Sequence, residues 1–142
     1  MEPVILRMIP FQIDLEGLRK KLHVREESSY LKDLVCMVEE AREISRPKAL
    51  YRMAFIDENG ENTGLVEGSR FQSRVLRVNL GEAQRVFPFL ATCGTEMEDW
   101  ANRIGDPLHR FWAESIKEMA VQHASRFTEE HLSERFRARC RE

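Results

Sequence analysis

Thr92-Cys93-Gly94-Thr95 is the segment whose residue types best suit chemistry. A mostly apolar run ends there, glycine lets the backbone approach a ligand, and a following helix would offer unpaired N–H groups to an anion. Cys93 beside such a helix start would have a lowered pKa and act as a nucleophile. The plainer alternative is a small residue at a strand end followed by a turn glycine. No histidine is fixed near Cys93 by spacing, so a catalytic cysteine has no evident partner.

The other chemistry-bearing residues are dispersed. Cys36, Cys93 and Cys140 are odd in number and distant in sequence, which points to reduced thiols rather than a disulfide framework. His23, His109, His123 and His131 form no HExxH pair. His123 and His131 stand eight apart near one helix face, and without a third ligand a structural or surface role is expected. The chain has no GxGxxG, no GxxxxGK[ST] and no GxSxG, so nothing supports a nucleotide triphosphatase or a serine hydrolase. No structural metal is expected.

Charge narrows the partners. Twenty-two basic residues face twenty-four acidic ones, a net of −2. This balance gives no basic face for phosphate-driven nucleic-acid binding. The locally basic tail, Arg135 to Arg141, suits a solvated helix end. No run is apolar enough to span a bilayer and the start lacks the features of a signal peptide, so a cytoplasmic protein without membrane contact is expected.

The elements that would position these residues follow from patterning. Val4–Ile9 is β-branched and apolar and reads as a strand before Pro10. Asp14 caps a short helix to about Leu22. Ser28 or Ser29 caps a longer one, apolar at Leu31, Leu34, Val35, Val38 and Ala41, which ends near Arg46 because Pro47 follows. Residues 49–56 alternate as a strand, Asp57–Gly60 is a turn sequence, and 63–68 returns as the second strand of a hairpin. Residues 74–80 fit a strand or a helix; Ser73 as cap and Gly81 as stop favour the helix. Residues 85–93 read as a buried strand in which Pro88 implies an edge or a bulge.

Thr95 and Glu98 then form a capping box that starts a helix ending before Gly105. Asp106-Pro107 opens a long helix to about Arg135, with an apolar stripe through Leu108, Phe111, Trp112, Ile116, Met119, Ala120 and Phe127. Such a stripe is ordinarily core. The expected fold is a single α+β domain, with an antiparallel sheet covered by helices, including one long C-terminal helix.

The stretch from Phe87 to Trp100, with Asp106-Pro107-Leu108 and the long helix, resembles the activation domain of vitamin B12-dependent methionine synthase. It is closer still to the stand-alone bacterial proteins that share that domain. Arg46–Tyr51 and Phe71–Leu76 fit the same pattern, and the resemblance covers roughly residues 10–136. It implies binding of S-adenosylmethionine near Thr92, Gly94 and Thr95. It also implies an accessory role in the reductive reactivation of a cobalamin-dependent methyltransferase, with cobalamin held by that partner.

The family's ligand-binding acid on the long helix falls nearest to Gln122, with Glu118 and Glu129 within two turns. Its Pro- and Gly-rich segment that wraps the ligand has no counterpart before Glu142. The domain therefore reads as incomplete at its C-terminus, with weak S-adenosylmethionine binding and no turnover of its own. A binding or oligomerisation module of the same fold, homodimeric and without the ligand, is the alternative.

Overall fold

Three helices begin where a short polar side chain can take up a free N–H group. Asp14 accepts from the Gly17 amide at 3.0 Å and opens α1 (Leu15–Lys21). Ser73 accepts from Leu76 at 3.2 Å and opens α3 (Arg74–Leu80), which Gly81 closes with φ +52°. Asp106 accepts from His109 at 2.9 Å and opens α5 (Pro107–Phe136), whose thirty residues start with proline. Between them, α2 (Tyr30–Ile44) ends at Ser45, whose extended backbone leads into Pro47. The structure is a computed structural model and describes residues 2–59 and 63–137. Cys140, most of the basic tail and Gly60 of the expected turn lie outside the described residues.

The strands depart from expectation at two linked points. The run 49–56 is broken at Arg52-Met53 into β2 (Lys48–Tyr51) and β3 (Ala54–Asn59). The run 85–93 is broken at Phe87-Pro88 into β6 (Arg85–Val86) and β7 (Phe89–Thr92). The Arg52 amide donates to the Pro88 carbonyl at 3.2 Å, so the two breaks face each other. Proline has no N–H to continue a ladder. The single expected sheet is accordingly two: β1 (Val4–Leu6), β2 and β7 in the order β1-β2-β7, and a four-stranded sheet containing β3 and β6.

The second sheet is completed by β4 (Thr63–Val66) and β5 (Ser69–Gln72), in the order β5-β4-β3-β6 with antiparallel pairing. The return strand expected over 63–68 stops two residues early. Glu67 at φ +45° and Gly68 at φ +82° form the two-residue turn to β5, the positive-φ pair that suits a twisted hairpin. β5 carries no apolar alternation to mark it, since Ser69-Arg70-Phe71-Gln72 buries nothing. The class is α+β, with antiparallel sheets and, among the described residues, five helices including the long C-terminal α5.

The chain forms two compact units. One comprises Leu6–Ala49 and Ala91–Thr128; the other comprises Met1–Ile5, Leu50–Leu90 and Glu129–Glu142. The first holds the main core, where Leu18, Leu34, Met37, Met97, Trp112 and Ile116 pack together. Tyr30 meets Trp112 edge-on at 6.1 Å between centroids. A smaller cluster sets Ile9, Ala49 and Ala124 against Leu6, Ala91 and Phe127, so small residues let the strands lie close to α5. In the other unit, buried Tyr51 hydrogen-bonds His131 Nε2 at 3.0 Å and Phe87 stacks on Phe136 at 4.7 Å. His131 thus has a structural partner. Among the described residues no helix is long and apolar enough to cross a membrane.

Candidate functional site

The Gly94 turn is built as tightly as its sequence suggests. Thr92 ends β7, and its hydroxyl accepts from the Gly94 amide at 3.0 Å. Cys93 O accepts from the Arg46 amide at 3.1 Å and from Ser45 Oγ at 3.3 Å, which fastens the end of α2 to the turn. Gly94 takes φ +97°, and a Cβ there would lie 3.3 Å from Arg46 O and against the Glu96 carboxylate. The positive φ calls for glycine, and the Arg46 carbonyl leaves little room for a side chain.

The helix that follows, α4 (Thr95–Asn102), does not start with the expected capping box. Gly94 is its N-cap without a side-chain bond, and Thr95 already lies inside the helix. Glu98 is drawn away by Lys117 of α5, which also holds Glu114 at 3.1 Å. Lys117 is nearly buried and carries its charge securely: burial works against the ammonium, but hydrogen bonds to Glu98 and Glu114 outweigh it and raise its pKa. Glu98 is correspondingly held below the ordinary carboxylate range by Lys117.

Cys93 is a buried free thiol, and burial pushes its pKa up, against the weaker pull of its own backbone and Lys117. The acidified nucleophile expected from its place before a helix is therefore corrected. Desolvation disfavours the thiolate more than the helix start favours it. Among the described residues no three His, Cys, Asp or Glu side chains gather as a metal-ligand set.

Beside the turn lies a cleft of about 460 Å³, lined by Glu43, Ile44, Arg46, Glu96, Asp99, Trp100 and Arg103. Arg46 gives its guanidinium to the Glu43 and Ser45 carbonyls, and Arg103 donates to Asp99 O. Neither Arg46 nor Arg103 is ion-paired with a carboxylate among the described residues. The Trp100 indole N–H is fixed on Glu40 at 3.1 Å. Three carboxylates, two guanidiniums and an indole thus share one cleft. Sequence reasoning missed this set, whose members come from the end of α2 and the residues just after it, and from α4 and its C-cap; Asp99 and Arg103, four apart, were the one local signal.

Gln122 lies elsewhere. It lines a second cleft of about 570 Å³ with Gln12, Ile13, Asp14, Met119, His123 and Arg126, and its amide donates to Glu118 at 3.4 Å. The two clefts share no lining residue, and Thr92, Gly94 and Thr95 line neither. Glu118 is engaged by Lys21 at 2.8 Å, and Glu129 belongs to the other compact unit. The structure brings Thr92, Gly94 and Thr95 together in one turn and does not bring Gln122 into a common cleft with them. Compared with models of known protein families the chain matches none, and it matches no curated protein.

Proposed function

We propose that this chain is an accessory binding protein of the activation-domain type. In this reading it takes S-adenosylmethionine weakly and serves a cobalamin-dependent methyltransferase such as methionine synthase, the partner holding the cobalamin. The order of motifs from Phe87 to the long helix supports the reading. The observation that carries it is the charge set of the cleft beside Gly94.

S-adenosylmethionine has a carboxylate, an ammonium, a sulfonium and an adenine, and each needs a counterpart. Arg46 and Arg103 suit the carboxylate. Glu96, Asp99 and Glu43 suit the two cations, and Trp100 offers a face for the ring. These residues fit the group. When bound, it supplies an activated methyl, while the protein's part is to hold and orient it. Binding is weak because the charged lining is exposed and water screens each pair.

Calorimetry of the full chain tests this directly. A dissociation constant between about 0.1 and 1 mM is expected, near −4 to −5.5 kcal/mol, weakened several-fold in Asp99→Asn. Binding that ignores substitution of Asp99 and Glu96, or no binding at several millimolar, rejects the site. The module reading without ligand gains from one feature. The outward positions of the three-stranded sheet are Ile5, Leu50 and Leu90, and Leu90 is 73% exposed.

A further inference from the structure

The second cleft is made of different chemistry and does not depend on the first. Met119, Gln122, His123 and Arg126 stand at i, i+3, i+4 and i+7 on α5 and so share one stripe, faced by the segment before α1. Arg126 has no ion pair among the described residues. Asp14 gives one carboxylate oxygen to the Gly17 amide, and its other oxygen accepts no hydrogen bond among those residues. His123 Nε2 is buried and lacks a hydrogen-bond partner among them as well. An orphaned buried polar atom is rare enough to call for an occupant, whether ligand or water.

A cation and an anion therefore line one cleft without reaching each other. A simple anion on Arg126 would meet Asp14, and a simple cation on Asp14 would meet Arg126. A zwitterion answers both. Ile13 and Met119 supply the apolar part of the lining.

We infer that this cleft binds a free α-amino acid with an apolar side chain. Its carboxylate pairs with Arg126, its ammonium with Asp14, and its side chain lies on Ile13 and Met119. His123 borders the same cleft, so a bound ligand is expected to perturb its ring nitrogens.

The test is a proton–nitrogen NMR titration of the full chain with L-leucine, which lacks the sulfonium and adenine of the other proposal. Saturable shifts are expected at residues 12–14 and 119–126 and at the His123 ring nitrogens. Arg126→Gln and Asp14→Asn should each weaken binding by about tenfold or more, the loss of one charge-assisted contact. Asparagine still caps α1 and Arg126 is exposed, so both variants keep the fold.

Leucinamide, without the carboxylate, and 4-methylpentanoate, without the ammonium, should each bind about tenfold more weakly than leucine. The inference is overturned by the absence of saturable shifts, which leaves water as the partner of His123. It is equally overturned if both analogues bind as well as leucine, or if the shifts fall at Glu43–Arg103 and ignore Arg126→Gln. Failure of S-adenosylmethionine binding at the first cleft leaves this outcome untouched.

Discussion

At Gly94 one backbone conformation decides whether β7 can hand over to α4. An alanine there would need φ +97° and would press on the Arg46 carbonyl and the Glu96 side chain. Gly94→Ala should lose about 1–3 kcal/mol in urea unfolding. A loss below about 0.5 kcal/mol would mean that the turn relaxes freely. Lys117 makes a second residue-scale prediction. Because its hydrogen bond lowers the Glu98 pKa, Glu98 stabilises the fold above the unfolded carboxylate pKa, and that contribution fades as pH falls through its folded value. In Lys117→Met the Glu98 carboxyl should titrate at a higher pH, followed by carbon-13 NMR, and the acid side of the stability profile should flatten. An unmoved Glu98 midpoint would remove Lys117 as the cause. Neither Lys117 nor the cleft at Trp100 was legible in the sequence, because both depend on which residues of α2, α4 and α5 meet. The tightness of Gly94 was legible, since apolar strand, glycine and helix signals meet at that residue.

Elements were readable where their local chemistry was complete. Asp14, Ser73 and Asp106 each cap as their sequence context requires, and the Leu34, Val38, Ala41 spacing of α2 is the buried face observed. Strand ends were less readable. The break at Phe87-Pro88 was foreshadowed by a proline, but its partner at Arg52-Met53 has no local signal, since it arises from the bond between Arg52 and Pro88 across the two segments. The helix α3 is the opposite case: well capped, yet without a buried residue, with Val75 and Val78 at 70% and 66% exposure. Its caps are complete, while its two valines face solvent. Ser73→Ala should therefore cost about 1 kcal/mol, whereas Val75→Lys with Val78→Lys should change stability by less than about 0.5 kcal/mol per site in thermal unfolding. A larger loss from the valine pair would show that they are covered in solution.

Over the whole molecule, the core is shared unequally. Of the nineteen buried hydrophobic residues among those described, only Tyr51, Ala54 and Leu132 belong to the unit containing Leu50–Leu90 and Glu129–Glu142. The other unit holds the main cluster around Trp112 and Ile116. Burial of apolar surface is the main favourable term in folding, so local opening should be cheaper where less is buried. The helix α5 runs through both units and can report the difference within one continuous element. Native-state hydrogen exchange should find the amides of Ala113–Ala124 opening only with the whole molecule. Those near Leu132 and the β4–β5 hairpin should open at about 2 kcal/mol or more below that limit. Ile116→Ala should then lower the most protected amides by about 2–5 kcal/mol and leave the local opening of the hairpin nearly unchanged. Uniform protection along α5, or a hairpin that weakens in step with Ile116→Ala, would mean that the two units open as one.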